Sequence, residues 1–80
     1  MAEPGVDRIR DLPPSAKLVY YILDKRGEMT QKALIQESML PERTVRAALG
    51  DLDEAGLLQT DINFADARQR LYRVQSFENN

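Results

Sequence analysis

Arg43 and Arg46 stand three residues apart in a stretch whose apolar positions, Val45, Ala48, Leu49, Leu52 and Ala55, recur at intervals of three and four. On a helix that spacing leaves Glu42, Arg43, Arg46, Ala47 and Gly50 on the face away from the apolar stripe. Each guanidinium is a flat fork of donors that matches a phosphate or the O6 and N7 edge of a guanine. Each could equally stay in solvent, paired with Glu42 or a neighbouring acid. Arg68, Arg70 and Arg73 form a second group near the C-terminal end. If the chain there is extended and alternates, Arg68 and Arg70 share one face, while Arg73 reads as a structural bridge between strand and helix. Thr30, Gln31 and Lys32 open another predicted helix, where unpaired amides and the helix dipole favour an anion. Thr30 reads foremost as that helix's N-cap. Thr44 could donate to a phosphate or touch a thymine methyl, and Glu42 could accept from a cytosine N4 or serve the helix dipole.

Other chemistries are excluded or unsupported. The 80 residues include no cysteine and no histidine. Disulfides, thiolate or imidazole zinc sites, and His- or Cys-dependent triads therefore drop out. Ser15, Ser38 and Ser76 have no histidine to activate them, no Gly-rich phosphate loop occurs, and no carboxylate pair falls in an identifiable cleft. We expect no enzyme, no cofactor and no metal, and no small-molecule ligand is evident. The longest apolar run, Leu18 to Leu23, is far short of the roughly 20 residues a bilayer span needs. Met1-Ala2-Glu3-Pro4 lacks the basic and apolar regions of a secretory signal. The expectation is a cytoplasmic protein with no membrane partner. The formal net charge is -2, carried against eight arginines and three lysines, so any anion-binding face depends on where the cations sit. The acid-rich, low-lysine balance also fits a salt-adapted host.

The elements that would position these residues follow from periodicity and punctuation. Residues 1–12 form a flexible arm or a short docking helix, 13–74 a single domain, and 75–80 a loose tail. A first helix spans about 15–26, with Ser15 as N-cap or Pro14 at N1. Ala16, Val19, Ile22 and Leu23 form its apolar stripe, and Gly27 follows its end. Glu28-Met29 is a short extended link. A second helix starts at Thr30, buries Ala33, Leu34 and Ile35, and ends at Ser38 or Met39. A third runs from Pro41, placed at N1, to about Ala55, with Gly56 beyond it. Leu57 to Thr60 and Leu71 to Val74 read as strands, with a polar loop over 61–69. Tyr20, Tyr21 and Tyr72 read as core or seam residues rather than base-stacking platforms. The fold class is α+β: a winged helix-turn-helix with three helices and a small antiparallel β-hairpin wing.

Several stretches resemble the MarR-like winged helix-turn-helix transcription regulators, particularly their short archaeal relatives. They are Thr30-Gln31-Lys32-Ala33-Leu34, Leu40-Pro41-Glu42-Arg43-Thr44-Val45-Arg46-Ala47-Ala48-Leu49, and Leu52-Asp53-Glu54-Ala55-Gly56-Leu57-Leu58. The stretch Asp66-Ala67-Arg68-Gln69-Arg70-Leu71-Tyr72 is similar to the family's acidic-x-Arg wing motif. The resemblance implies a sequence-specific regulator bound to double-stranded DNA, with the helix at about 41–55 in the major groove. It implies that a wing arginine, within about 61–70, reaches the backbone or minor groove. It also implies homodimers on palindromic sites, here through residues 1–12, the first helix or the C-terminal end. The departures are Met39 where a turn glycine is common, and Ala47, Gly50 and Asp51 where many relatives carry basic residues. The implied DNA-binding set is Thr30, Gln31, Lys32, Glu42, Arg43, Thr44, Arg46, Arg68 and Arg70. The rival reading is a winged-helix protein-interaction module without intrinsic DNA binding, since the same fold can present the same faces to proteins.

Overall fold

The computed structural model describes residues 8–74, so the expectations for 1–7 and for the 75–80 tail lie outside the described residues. The elements run α1 (Pro14–Arg26), β1 (Met29–Thr30), α2 (Gln31–Ser38), α3 (Glu42–Glu54), β2 (Leu58–Ile62) and β3 (Arg70–Val74). Residues 8–10, ahead of α1, are also helical, and Ile9 and Leu12 pack on the core.

Proline and glycine set most of the boundaries. Pro13 is the extended N-cap of α1, with Pro14 at N1, where a missing N–H costs nothing. Gly27 ends α1 at φ 93°, its N–H donating to the Leu23 carbonyl. Thr30 caps α2 by accepting from the Ala33 N–H at 3.1 Å. Three residues, 39–41, then separate α2 from α3. Pro41 is the N-cap of α3 rather than its first residue, because its ψ of 152° is extended. Its carbonyl accepts from the Thr44 and Val45 amides, so the helix begins at Glu42. The other end of α3 closes with a Schellman motif: the Gly56 N–H donates to Asp53 and the Leu57 N–H to Leu52. Leu57, expected within a strand, is the buried apolar partner of that motif.

The sheet has the order β1-β3-β2, with both pairings antiparallel. The short link at 28–29 thus becomes a third strand, Met29 opposite Tyr72 and Thr30 opposite Leu71. β2 continues through Asp61 and Ile62, which the sequence reading assigned to a loop. Ladder pairing to Leu71 and Arg70 holds them extended, although Asp61 is a poor strand former and the polar stretch after Ile62 hides the end of the strand. Leu58, Tyr72, Val74 and Met29 pack from this sheet onto a helical core of Ala16, Val19, Ile22, Leu23, Leu34, Val45, Ala48, Leu49 and Leu52. The expected stripes of α1 and α3 are buried at these positions. On α2 only Leu34 is fully buried, because the helix is short and flanks the core.

Candidate nucleic-acid interface

The nine residues expected to form a binding set fall into two groups. The first lies on α3. Glu42, Arg43 and Arg46 are exposed, and Thr44 is half-buried at the turn. Arg46 reaches back one turn to form an ion pair with Glu42 at 2.5 Å, with the two side chains 65% and 56% exposed. A pair so open to solvent is weak, about 0.3–0.5 kcal/mol for this spacing. Arg43 forms no ion pair or side-chain hydrogen bond among the described residues. Ala47 and Gly50 complete the exposed face. A Cβ added at Gly50 would meet no atom within 4 Å, so packing inside the domain does not require a glycine there.

The second group surrounds a groove of about 230 Å³ between the start of α2 and the wing, lined by Gln31, Lys32, Arg68, Gln69, Arg70 and Tyr72. Antiparallel pairing of β1 with β3 carries the α2 N-terminus to the wing side of the sheet. Three cationic side chains thereby meet around one concavity although they are distant in sequence. The Thr30 hydroxyl oxygen caps α2, and its backbone pairs with β3. Gln69 was absent from the sequence-derived set. Its signal was position alone, between two arginines on a strand approach.

The wing tip is two successive tight turns of the same design. The Asp66 N–H donates to the Asn63 carbonyl, and the Gln69 N–H to the Asp66 carbonyl. Each turn is also pinned by its first side chain. Asn63 Oδ1 accepts from the Ala65 N–H at 3.0 Å, and Asp66 Oδ1 from the Arg68 N–H at 3.1 Å. The Asp66 carboxylate further accepts from Arg68 Nε at 3.3 Å and Gln69 Nε2 at 3.2 Å. The Arg68 backbone N–H, then its guanidinium, and more weakly Gln69 hold the Asp66 carboxyl below the ordinary aspartate range. The acidic-x-Arg motif therefore has a local meaning: the acid shapes the turn that carries the arginine. Arg68 itself stays 91% exposed. The corner of the preceding turn carries Phe64, 94% exposed, which the sequence reading did not single out.

Arg73 bridges differently from expectation. It binds Asp61 on the neighbouring strand at 2.6 Å and lies 3.9 Å from Glu28 ahead of β1, tying the sheet together rather than joining strand to helix. Tyr20 and Tyr72 pack against the core. Tyr21 is exposed on α1, with Lys25 Nζ 5.5 Å from its ring centroid. Among the described residues there is no cluster of potential metal-ligating side chains and no helix long and apolar enough to cross a membrane.

Two helices joined by a three-residue turn, followed by an antiparallel hairpin, define a winged helix-turn-helix domain. Its likeness is to MarR-family regulators. A MarR family regulator from Neisseria meningitidis is 30% identical with a TM-score of 0.68, over 84% of this chain and 47% of that one. The adhesin competence repressor of Streptococcus pyogenes matches at 17% identity and a TM-score of 0.74, over 82% of this chain and 47% of that one. BpsR of Bordetella bronchiseptica, whose DNA binding is regulated by 6-hydroxynicotinic acid, matches at 21% and 0.72, over 82% and 50%. This chain spans about half the length of the structures it matches. No protein-family model matches it, and no curated protein is significantly similar.

Proposed function

We propose that this chain binds double-stranded DNA in the cytoplasm as a non-enzymatic transcription regulator, with α3 in the major groove and the wing on the adjacent backbone. The observation that carries this reading is the groove where Lys32, Arg68 and Arg70 converge beside the helix-turn-helix. Three cations around one concavity, next to a helix N-terminus, suit a phosphate run. On α3, Arg43 is free to seek a guanine edge. Arg46 needs only to leave an exposed carboxylate, at a cost of a few tenths of a kcal/mol, against the roughly 1–3 kcal/mol a good bidentate base contact discriminates. Two copies on a palindromic site would suit Leu18 and Tyr21, which leave an apolar strip exposed on the outer face of α1.

The test is fluorescence anisotropy with labelled random duplex over a range of salt, with the protein's mass measured alongside. About five phosphate contacts per copy give an expected slope of log K on log salt near -4 to -5, doubled for a dimer. Arg46→Ala should weaken binding to a selected site and relax preference at one base pair. Arg68→Ala should weaken all sequences alike and flatten the slope by about one. Absence of binding even at low salt would refute the proposal and leave the protein-interaction reading in its place.

A further inference from the structure

Phe64 is the most exposed large apolar side chain among the described residues, at 94%. It is not on a loose segment. It occupies a corner of the turn closed by the Asp66 N–H to Asn63 carbonyl bond at 3.1 Å, and the Asn63 side chain pins the same turn through the Ala65 amide. Ile62, 52% exposed, precedes this turn on β2. The next turn carries Arg68, 91% exposed, and is closed in the same way. The wing tip therefore offers a phenyl ring and a guanidinium on adjacent, hydrogen-bonded corners. Phe64 lines a concavity with Ile62 and Arg70, alongside Asp61 and Glu28, while Arg68 lines the neighbouring groove. A ring with Arg70 near it suits a nucleic-acid groove, where deoxyribose walls and base edges lie next to phosphates.

We propose that Phe64 enters the minor groove as an apolar wedge while Arg68 holds the flanking phosphate. This rests on the DNA-binding reading above. A wedge of this kind is easiest to seat where the groove floor lacks the guanine N2 amino group and where base steps unstack readily. The ring adds affinity without releasing counterions, so its contribution is independent of salt, unlike that of Arg68.

The chain contains no tryptophan, so Phe64→Trp places a single indole at the wing tip as a reporter. On titration with duplex, the indole emission of Phe64→Trp should be quenched in step with the anisotropy. Phe64→Ala should weaken duplex binding about tenfold, of the order seen on removing an aromatic base contact, with the salt slope unchanged. Wild-type protein should prefer an inosine–cytosine duplex to its guanine–cytosine counterpart, which differs only by the minor-groove amino group, and Phe64→Ala should lose that preference. Unchanged indole emission at saturating duplex, or wild-type affinity in Phe64→Ala, would overturn the wedge while leaving DNA binding intact. A fall in protein mass on Phe64→Ala would overturn it in favour of a seam between two copies. If wild-type protein binds no duplex at all, the DNA-binding reading fails first and takes the wedge with it.

Discussion

Among single residues, the interface is defined by which charges are already spent. Glu42 is the clearest case, because it serves the N-terminus of α3 and also occupies Arg46. Glu42→Gln removes a favourable helix-dipole contact and an exposed ion pair, together about 0.5–1 kcal/mol of stability. It also removes a negative charge from the proposed DNA face and releases a guanidinium. Affinity for random duplex should therefore rise a few-fold even as the melting temperature falls slightly, which anisotropy and thermal melts on the same variant would check. Asp66 makes the opposite kind of prediction. Its carboxyl is held below the ordinary range, so the stability it lends the wing is present above the unfolded aspartate value of about 3.9. That stability is lost as pH falls through the lower folded value. The Arg68 amide resonance should accordingly shift with a midpoint below 3.9; a midpoint at or above it would mean that the turn is not closed by the charged form. The sequence displayed Asp66 and Arg68 as a motif. It could not display Phe64 as exposed, because a phenylalanine between strand and turn residues is more often core, and only the two turn closures turn it outward.

For the individual elements, helices were far more legible than strands. Stripes such as Val45-Ala48-Leu49-Leu52 state both a period and a buried face, and Gly27, Thr30 and Gly56 mark ends by chemistry that needs no tertiary context. Asp61 and Ile62, at the edge of the polar stretch 61–69, carry no comparable alternation. They are a strand because β3 is beside them and because Arg73 reaches Asp61 across the pair. The groove at Lys32, Arg68 and Arg70 was illegible for the same reason, since it exists only once β1 pairs with β3. The turn residue Met39 adopts the left-handed conformation that the family resemblance assigned to glycine, at φ 60°. Being 89% exposed, it has little packing to lose. Met39→Gly should therefore stabilise the domain by about 0.5–1 kcal/mol, relief of left-handed strain exceeding the added freedom of the unfolded chain. Gly50→Ala should stabilise by a similar ~0.5–1 kcal/mol, because the added methyl meets nothing inside the domain. Both effects should appear as a rise of several degrees in melting temperature. An unchanged or lowered melting temperature for Met39→Gly would mean that the turn derives support from its side chain.

The whole molecule carries a formal net charge of -2, yet its proposed DNA face is locally basic, and the two facts act at different distances. Asp51, Asp53 and Glu54 lie late on α3, and Asp24, Glu28 and Glu37 belong to α1, the approach to β1 and α2. Lys32, Arg68 and Arg70 converge at the groove, against the nearby carboxylate of Asp66, which binds Arg68 and Gln69. At about 0.1 M salt the screening length is about 10 Å, shorter than the molecule's radius of gyration of 12.3 Å. A phosphate at the groove then responds chiefly to the nearby cations, and the ordinary counterion-release slope applies. At about 0.01 M the screening length is about 30 Å, more than twice that radius. The distant acids then repel the duplex as well, and the net negative charge begins to oppose what the groove gains. Log K should therefore climb along a slope of about -4 to -5 as salt falls toward roughly 0.05 M, then bend over near 0.01 M instead of continuing upward. Neutralising an acid outside the proposed DNA face by Asp24→Asn, on α1, should straighten the low-salt limb and leave the limb above about 0.1 M unchanged. A straight line through the whole range for wild-type protein would show that the binding face does not sense the acidic remainder, and that the affinity is set by local contacts at every salt concentration.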